Sequence, residues 1–292
     1  MQDLIIDVRV NEYTGRETNP KIPFAPEEIA HDAAECREAG AAIIHYHARD
    51  PETGAPSADP VLYAAAARGI REQCDALVMP TLGAGTIPDL EDRFCHIDVM
   101  AEDPATRADF VPLDLASTNL PIYFEEKCEL GGDDLAYSNT VGMLKTLAER
   151  SLQVGAIPMA AIWNVGSLRL LDAFIATGVM QAPCYAELFF TEGGLIAGHP
   201  CSLAGLDAYL AFLPKAECAW AVACYGASVL ELAEVAIERG GHVALGLGDH
   251  PYSELGDGTP SNAEVVAAVA EIARRKGRKL AQPKDLRQWL AS

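Results

Sequence analysis

The chain has 292 residues, and 50% of them are hydrophobic, which is enough apolar surface for the core of one large domain. Asp and Glu outnumber Lys and Arg by 42 to 22, so the formal net charge is −20. This charge would repel a nucleic acid or an anionic membrane surface. We therefore expect a soluble globular protein without a nucleic-acid or membrane partner.

The cysteines indicate a reducing compartment. All eight are scattered along the chain, form no C-x-x-C pair and lie mostly inside apolar segments. This distribution is typical of free thiols. The first residues lead directly into a strand-like segment, and no stretch of 18 consecutive apolar residues occurs. We therefore expect a cytoplasmic protein.

Short apolar runs alternate with longer amphipathic segments from residue 4 almost to the end of the chain, which predicts a parallel α/β fold. The predicted strands lie near residues 4–11, 41–48, 76–82, 108–114, 156–163, 184–190, 217–224 and 242–248. The first predicted helix runs from Pro26 to Gly40, and later ones lie near 59–73, 140–150, 167–177, 202–213, 227–239 and 262–276. Eight strands suit a single-domain (β/α)₈ TIM barrel over residues 1–292, extended by a C-terminal helix that begins near Gln282.

Two long connections, near residues 119–139 and 250–261, follow the C-terminal ends of predicted strands. Barrel enzymes build their active sites from loops at this end. Arg49 lies in the loop that leaves strand 2. We predict that Arg49 helps to bind substrate or coenzyme A, because an anionic ligand needs local cations on so acidic a protein.

His45 and His47 end the second predicted strand and are separated by Tyr46. Alternate residues on a strand point the same way, so the two imidazoles can share one divalent metal ion, with zinc the first choice, while Tyr46 faces the helices. The alternative is a pair of hydrogen-bonded core histidines. The position at a strand end favours the metal.

A catalytic zinc ion usually has three protein ligands and one open position. Asp249 and His250 follow strand 8, and Glu12 follows strand 1, which neighbours both strand 2 and strand 8 in a barrel. Each could supply the third ligand. Alternatively, Asp249 caps a turn, His250 does not contact the metal and Glu12 is exposed to solvent.

Other strand ends carry hydroxyl groups and glycines. Thr81 and Ser117 could orient a carbonyl or an enolate, or they could make ordinary strand-end and N-cap hydrogen bonds. Gly83 after strand 3, with Gly193 and Gly194 after strand 6, could present backbone N–H groups to an anionic substrate or to coenzyme A. Their alternative is a tight turn.

Several blocks of the chain together resemble the β-keto acid cleavage enzymes, nearly end to end. They span residues 22–28, 38–47, 220–223, 240–242 and 261–264. The resemblance implies a barrel, a zinc ion and acetyl-CoA as co-substrate. It also implies a retro-Claisen exchange in which a 3-keto acid and acetyl-CoA give acetoacetate and a new acyl-CoA, and a homo-oligomer, a tetramer.

The resemblance also implies roles for individual residues. His45 and His47 match the two histidine ligands of the family, Thr81 stands where the family has an active-site Ser, and Asp249 matches an Asp after strand 8. Glu12 lies near the family's strand-1 Glu. We therefore predict Asp249, Glu12 and Thr81 as catalytic residues, and we add Ser117 because its hydroxyl lies at the end of strand 4.

Three positions depart from the family. Gly248 stands where the family supplies a glutamate ligand, Ala244 replaces an arginine and Pro112 replaces a threonine. Another group must then complete the metal shell. Our first candidate is Asp249, with Glu12 as the proton-moving base.

These features support three functional hypotheses. The leading one is a metal-dependent enzyme that cleaves a carbon–carbon bond in a 3-keto acid. The second is a zinc hydrolase of the amidohydrolase type, because H-x-H pairs on barrel strands also occur there. The third is a metabolite-binding barrel without catalysis, which loss of the usual glutamate and arginine would permit.

Overall fold

A computed structural model describes residues 2–83, 85, 87 and 89–292. The barrel strands are β1 (Ile6–Arg9), β2 (Ile43–Tyr46), β3 (Leu77–Pro80), β4 (Phe110–Asp114), β9 (Ile157–Ile162), β10 (Cys184–Thr191), β11 (Cys218–Tyr225) and β12 (His242–Leu245). Shorter strands are β5 (Thr118–Asn119), β6 (Ile122–Phe124), β7 (Glu129–Gly131) and β8 (Ala136–Tyr137).

The helices alternate with the barrel strands. They are α1 (Pro26–Ala39), α2 (Pro60–Gln73), α3 (Leu90–Arg93), α4 (Cys95–Ala101), α5 (Val141–Gln153), α6 (Val165–Ala176), α7 (Leu203–Leu210), α8 (Leu230–Glu238), α9 (Asn262–Arg275) and α10 (Pro283–Leu290). A 3₁₀ turn covers Glu125–Lys127.

The eight barrel strands lie in the order β3-β2-β1-β12-β11-β10-β9-β4, and all neighbours are parallel. The ring closes between β3 and β4, where the amide of Asp109 donates to the carbonyl of Val78 at 2.8 Å. The predicted (β/α)₈ barrel is therefore confirmed. In this ring the fifth strand, β9, lies opposite β1, and the fourth, β4, lies opposite β12.

Alternation along β1 places two kinds of side chain on its two faces. Ile6 and Val8 pack in the hydrophobic layer between the strands and the helices. Asp7 and Arg9 occupy the alternate positions, and Arg9 forms ion pairs inside the barrel with Glu187 on β10 and with Asp249, which follows β12. The interior of this barrel thus contains buried charges as well as apolar side chains.

Residue types explain where the first helix begins and ends. Pro26 occupies its first turn, where the missing N–H costs nothing, and the Glu28 carboxylate accepts from the amides of Phe24 and Ala25. Gly40 ends the helix with a φ of 122°, a conformation that favours glycine. The next residues enter β2 directly.

The sequence prediction missed α3 and α4, which connect β3 to β4. Both helices are short, and Phe94 separates them, so little apolar periodicity is available to recognise. The predicted connection after β4 also contains structure, since β5 pairs with β8 and β6 pairs with β7 as antiparallel ribbons. These ribbons stand over the C-terminal ends of the strands.

The cysteines and the helices each bear on an expectation drawn from the sequence. All eight cysteines are free, as predicted. Within the described ranges, no helix is both long and apolar enough to cross a bilayer.

The predicted C-terminal helix is present as α10 and packs on the N-terminal end of the barrel. Leu286 is fully buried in one cluster with Ile5 and Ala42 from the strands and with Ala281 before the helix. The carbonyl of Leu4 also accepts from the amide of Ala281 at 2.8 Å. The helix therefore seals the barrel floor, far from the C-terminal strand ends.

Replacing Leu286 with Ala should lower the free energy of unfolding by about 2–5 kcal/mol, because it opens a cavity in a closed apolar cluster. Urea unfolding followed by circular dichroism measures this. The control is Val61→Ala on α2, where the native side chain is 68% exposed. Equal effects of the two substitutions would contradict the role assigned to α10.

Candidate metal centre

A cavity of about 260 Å³ opens at the C-terminal ends of the barrel strands, the end at which barrel enzymes place their sites. Its lining divides into a polar side and an aromatic side. The polar side includes Arg9, Glu12, His45, His47 and Thr81, and the aromatic side includes Tyr137, Trp163, Phe189 and Tyr225.

Glu12, His45 and His47 converge on one point in the described structure. The Nε2 atoms of His45 and His47 each lie 2.9 Å from a different carboxylate oxygen of Glu12. One ligand atom from each of the three residues lies within 4.8 Å of the others, and all three residues are buried. Two imidazoles and a carboxylate are donors that suit a zinc ion.

The protonation states of Glu12 and His45 favour metal binding. Burial lowers the pKa of His45 to about 4, so its ring is neutral at pH 7. Burial alone would raise the pKa of Glu12, but Arg9, His47 and His45 outweigh it and hold that pKa well below its usual range. A neutral imidazole and an ionised carboxylate are the forms that bind metals.

A strained loop presents Glu12. Its φ is +31°, which is rare for a residue other than glycine and marks strain held by its surroundings. The Arg49 guanidinium donates to the carbonyls of Asn11, Glu12 and Thr14 at 3.1, 2.8 and 3.2 Å. The Asn11 side chain bonds both backbone groups of His47. Glu12 is thus clamped against β2.

Gly248 leaves the space that Glu12 occupies. A Cβ atom at position 248 would lie 2.6 Å from Cγ of Glu12 and 2.8 Å from the carbonyl oxygen of Arg9. The expectation that Asp249 completes the ligand set is therefore corrected, because the structure groups Glu12, and not Asp249, with the two histidines. His250 turns toward Glu254, 3.7 Å away.

Arg9 connects Glu12 with the carboxylates behind it. Its guanidinium lies 2.5 Å from Glu12, 3.0 Å from Glu187 and 2.9 Å from Asp249, and it also donates to the Tyr225 hydroxyl. All three ion pairs are nearly inaccessible to water. Asp249 is therefore held behind Arg9 and Tyr225, which line the cavity.

Sequence reasoning missed Arg9. The available signal was Asp7 and Arg9 at alternate positions of an otherwise apolar strand, which predicts charge inside the barrel. Arg9 lies on the strand next to β12, whose position 244 holds Ala, and Asp7 pairs in register with Ala244. Arg9 on β1 therefore places a guanidinium beside β12, the strand on which Ala244 replaces an arginine.

The carboxylates around Arg9 outnumber its single positive charge. Burial raises the pKa of Asp249 to about 8, although Arg9 lowers it. Burial likewise raises the pKa of Asp7 to about 6 and that of Glu187 well above its usual range. At pH 7 the Asp249 carboxyl group is therefore mostly protonated, whereas that of Asp7 is mostly ionised.

Of the other predicted residues, two line the cavity and one does not. Thr81 and Gly83 line the cavity, and the Thr81 hydroxyl accepts from the Gly83 amide at 3.0 Å. Ser117 lies outside the lining, and its hydroxyl accepts from the amide of Asn139 at 2.8 Å. Ser117 thus fixes the loop after β4.

Three predicted ligand contacts need correction. Gly193 and Gly194 have φ values of 62° and 93° and form a tight turn that packs on Gly226 and Tyr123, so neither lines the cavity. Arg49 is 4% exposed, and backbone carbonyls occupy its guanidinium. Its role is to hold the Glu12 loop, because a buried guanidinium with these partners cannot also reach substrate.

The aromatic side of the cavity carries a further carboxylate that the sequence did not reveal. The Trp163 indole N–H donates to Oδ1 of Asp114 at 2.6 Å, and the Tyr137 hydroxyl donates to Oδ2. Trp163 packs with Phe189 and Tyr225 at centroid distances of 5.5 and 5.7 Å. Asp114 ends β4, and Trp163 follows β9.

The fold and this cluster define a (β/α)₈ barrel with a candidate metal centre at its C-terminal end. The family model of the beta-keto acid cleavage enzymes matches residues 3–291, and the chain belongs to this family. The predicted family and the predicted class of carbon–carbon bond-cleaving enzyme are thereby confirmed.

Individual relatives agree with this assignment. The chain is similar to the 3-keto-5-aminohexanoate cleavage enzyme of Fusobacterium nucleatum subsp. nucleatum, with 28% identity over 100% of this chain and 98% of the relative. It is 26% identical to the 3-dehydrocarnitine:acetyl-CoA trimethylamine transferase of Rhizobium meliloti, over 92% of this chain and 89% of the relative.

Solved structures support the fold. The apo structure of ObcA matches with a TM-score of 0.72 at 15% identity, over 93% of this chain and 66% of ObcA. The present chain therefore spans just under two thirds of ObcA. The 3-dehydroquinate dehydratase of Geobacillus kaustophilus matches with a TM-score of 0.54 at 12% identity, over 95% of this chain and 93% of that enzyme.

Replacing Arg9 with Met should lower the free energy of unfolding by about 3–5 kcal/mol at pH 8, because buried carboxylates lose their counter-charge. The loss should shrink toward pH 5. The orphaned carboxylates would have raised pKa values, so the folded state gains protons as the pH falls and recovers stability. Urea unfolding with chelator present, at several pH values, measures both effects.

The control for this substitution is Arg68→Met, which removes an exposed ion pair with Asp103. That change should cost at most about 1 kcal/mol, with little pH dependence. A pH-independent effect of Arg9→Met would contradict the charge argument and leave only lost packing.

Proposed function

We propose that this protein is a zinc-dependent β-keto acid cleavage enzyme that uses acetyl-CoA. The observation that carries the proposal is the buried cluster of Glu12, His45 and His47 at the mouth of the barrel of a family member. Relatives named as acetyl-CoA transferases support acetyl-CoA as the co-substrate.

The metal would be held by Nε2 of His45, Nε2 of His47 and a carboxylate oxygen of Glu12. A zinc ion bound there supplies a Lewis acid for the keto oxygen of the substrate. The clamp of Arg49 on the Glu12 loop fixes the carboxylate in place, which limits the cost of reorganisation when the ligands bind.

Asp249 holds Arg9 in position, because it lies behind Arg9 and Tyr225 and does not line the cavity. Its Oδ1 accepts from Arg9, whereas Oδ2 lacks a hydrogen-bond partner among the described residues. Glu12 lines the cavity, and we assign proton transfer to its carboxylate. The carboxylate oxygen of Glu12 that does not hold the metal would take a proton from the carbon between the keto and carboxylate groups of the substrate.

The exchange then conserves all atoms of both substrates. The deprotonated carbon would attack the acetyl carbonyl of acetyl-CoA and displace the thiolate of coenzyme A. The thiolate would then attack the original keto carbon and break its bond to the deprotonated carbon, which takes the proton back from the carboxylate. Acetoacetate leaves, and the remaining acyl group is transferred to coenzyme A. The Thr81 hydroxyl, which lines the cavity beside the cluster, would orient the substrate.

The family match favours this reaction over a zinc hydrolase of the amidohydrolase type. A metabolite-binding barrel without catalysis is an outcome that the assay below distinguishes. We further propose one domain, a cytoplasmic location and a homotetramer, on the basis of the free cysteines and the resemblance to the family.

Replacing both His45 and His47 with Ala should abolish zinc binding and turnover while the barrel stays folded, because the two rings line the cavity mouth. Elemental analysis measures the metal, and release of acetoacetate from a panel of 3-keto acids with acetyl-CoA measures activity. The control is His31→Ala on α1, an exposed histidine.

Stoichiometric zinc in the double variant would refute the ligand assignment. Zinc binding by the parent protein without turnover of any keto acid would refute catalysis and favour the binding protein.

Replacing Gly248 with Ala should weaken zinc binding by about 10- to 100-fold, the usual effect of disturbing a group that positions a ligand. The new methyl group would displace Glu12 or the backbone of Arg9. Gly248→Glu should weaken zinc binding also, for the same reason. Competition with a chromophoric chelator measures the affinity.

The control for Gly248 is Gly142→Ala on α5, where an added Cβ meets no atom within 4 Å. Unchanged zinc affinity in the Gly248→Ala variant would contradict the placement of Glu12 as the third ligand.

A further inference from the structure

Two pairs of cysteines have thiols that are hydrogen-bonded to each other. They are Cys201 with Cys224 and Cys184 with Cys218. Cys224 lies on β11 and belongs to the apolar layer between the strands and the helices, and Cys201, in the loop before α7, packs against the same layer. The fold thus brings together a strand thiol and a loop thiol.

Cys224 adjoins residues of the candidate metal centre. Tyr225 follows it in the chain, lines the cavity and accepts a hydrogen bond from Arg9. The amide of Gly226 donates to the carbonyl of Asp249 at 3.1 Å. A covalent change at Cys224 would therefore act on the end of β11 that contacts Arg9 and Asp249.

The exposure and acidity of the first pair suit a reaction with an oxidant. Cys201 is partly exposed, whereas Cys224 is 1% exposed. The hydrogen bond from the Cys224 thiol lowers the pKa of the Cys201 thiol, although burial, Glu192 and Glu231 oppose this effect. An accessible cysteine of lowered pKa beside a second thiol is the arrangement that reacts with peroxides and then forms a disulfide.

The second pair has the reverse arrangement. Cys184 and Cys218 are register partners at the start of β10 and β11, at the end of the barrel opposite the cavity. Here the hydrogen bond with Cys218 lowers the pKa of Cys184, which is only 2% exposed. The partly exposed member, Cys218, has a raised pKa because of the same hydrogen bond. The more acidic thiol of this pair is thus shielded from an oxidant.

We propose that Cys201 and Cys224 form a reversible disulfide when the protein meets a hydroperoxide, and that this disulfide lowers the activity of the enzyme. The effect on activity rests on the proposed function, whereas formation of the disulfide does not. Cys201 is the thiol that reacts first, and Cys224 resolves the product.

The chemistry consumes one hydrogen peroxide and releases two water molecules. The Cys201 thiolate attacks a peroxide oxygen, the O–O bond breaks, and Cys201 becomes a sulfenic acid while the departing oxygen leaves as water. Loss of this thiolate removes the main cause of the raised pKa of Cys224. The Cys224 sulfur then attacks the sulfenic sulfur, the S–O bond breaks, and the displaced oxygen takes the thiol proton and leaves as the second water.

Formation of the bond would displace Tyr225. The sulfur atoms of a disulfide lie about 2.05 Å apart, much closer than two thiols in a hydrogen bond. The Cys201 amide donates to the Glu192 carboxylate at 2.8 Å, and the Glu192 amide donates to the Tyr225 carbonyl at 2.8 Å. Because a packed interior transmits such movements, the Tyr225 hydroxyl would shift relative to Arg9. Trp163 stacks on the Tyr225 ring with a centroid distance of 5.7 Å and would report the shift.

The test treats the zinc-loaded protein with hydrogen peroxide, removes the excess with catalase and maps linked peptides by mass spectrometry. A peptide that joins Cys201 to Cys224 should appear. The kcat/KM for the keto acid that the untreated protein turns over best should fall by at least about 10-fold, since small displacements of positioning groups have effects of this size. Dithiothreitol should restore it, which excludes oxidation of methionine as the cause.

Cys201→Ser and Cys201→Ala should keep their activity after peroxide treatment. The matched control is Cys218→Ser, which removes a partly exposed thiol of the other pair from the opposite end of β11. This variant should lose activity as the parent does. Absence of the linked peptide would overturn the proposal, and so would a linked peptide with unchanged kcat/KM. Equal loss of activity in the parent and in both Cys201 variants would also overturn it, because peroxide would then act at another residue.

Peptide mapping and tryptophan fluorescence require no turnover, so they separate this inference from the proposed function. A linked peptide, with a fluorescence change that dithiothreitol reverses, in a protein that turns over no keto acid would support the disulfide and refute the proposed reaction. Turnover of a keto acid that peroxide treatment leaves unchanged would refute the role of the two cysteines alone.

Discussion

The buried guanidinium of Arg9 is the interaction on which the rest of the centre depends. One guanidinium, stacked on the rings of Phe189 and Tyr225, forms ion pairs with carboxylates from three parts of the barrel. Removing a single partner from such a group leaves uncompensated charge in a medium of low polarity, which is why these groups act together. The same guanidinium reaches Glu12 at the candidate metal centre and Asp249 behind it.

The sequence was sufficient to predict the barrel, its strands and the histidine pair, because these follow from local periodicity. It was insufficient for the third member of the cluster. That choice depends on the space above Gly248, which only the packing of β1 against β12 defines. Arg9 and Asp114 were not predicted for a related reason. Their partners are distant in the sequence and come into contact with them only when the barrel closes.

The cavity combines two environments that suit different parts of one substrate. The side built on β1 and β2 concentrates charge and potential metal donors, whereas the side built on β4 and β9 combines one carboxylate with aromatic rings. Loops that vary independently can tune the second side without disturbing the first. Relatives that share the family but differ in their named substrates are consistent with such a division.

The order of the cluster residues along the chain has a consequence for synthesis. Glu12, His45 and His47 all lie within the first 47 residues, so a growing chain contains all three donors before most of the barrel exists. The final arrangement nevertheless depends on Gly248, near the other end of the chain. A nascent polypeptide thus contains the three donors before β12 is made. Only the pairing of β12 with β1 places the Glu12 carboxylate beside the two imidazoles.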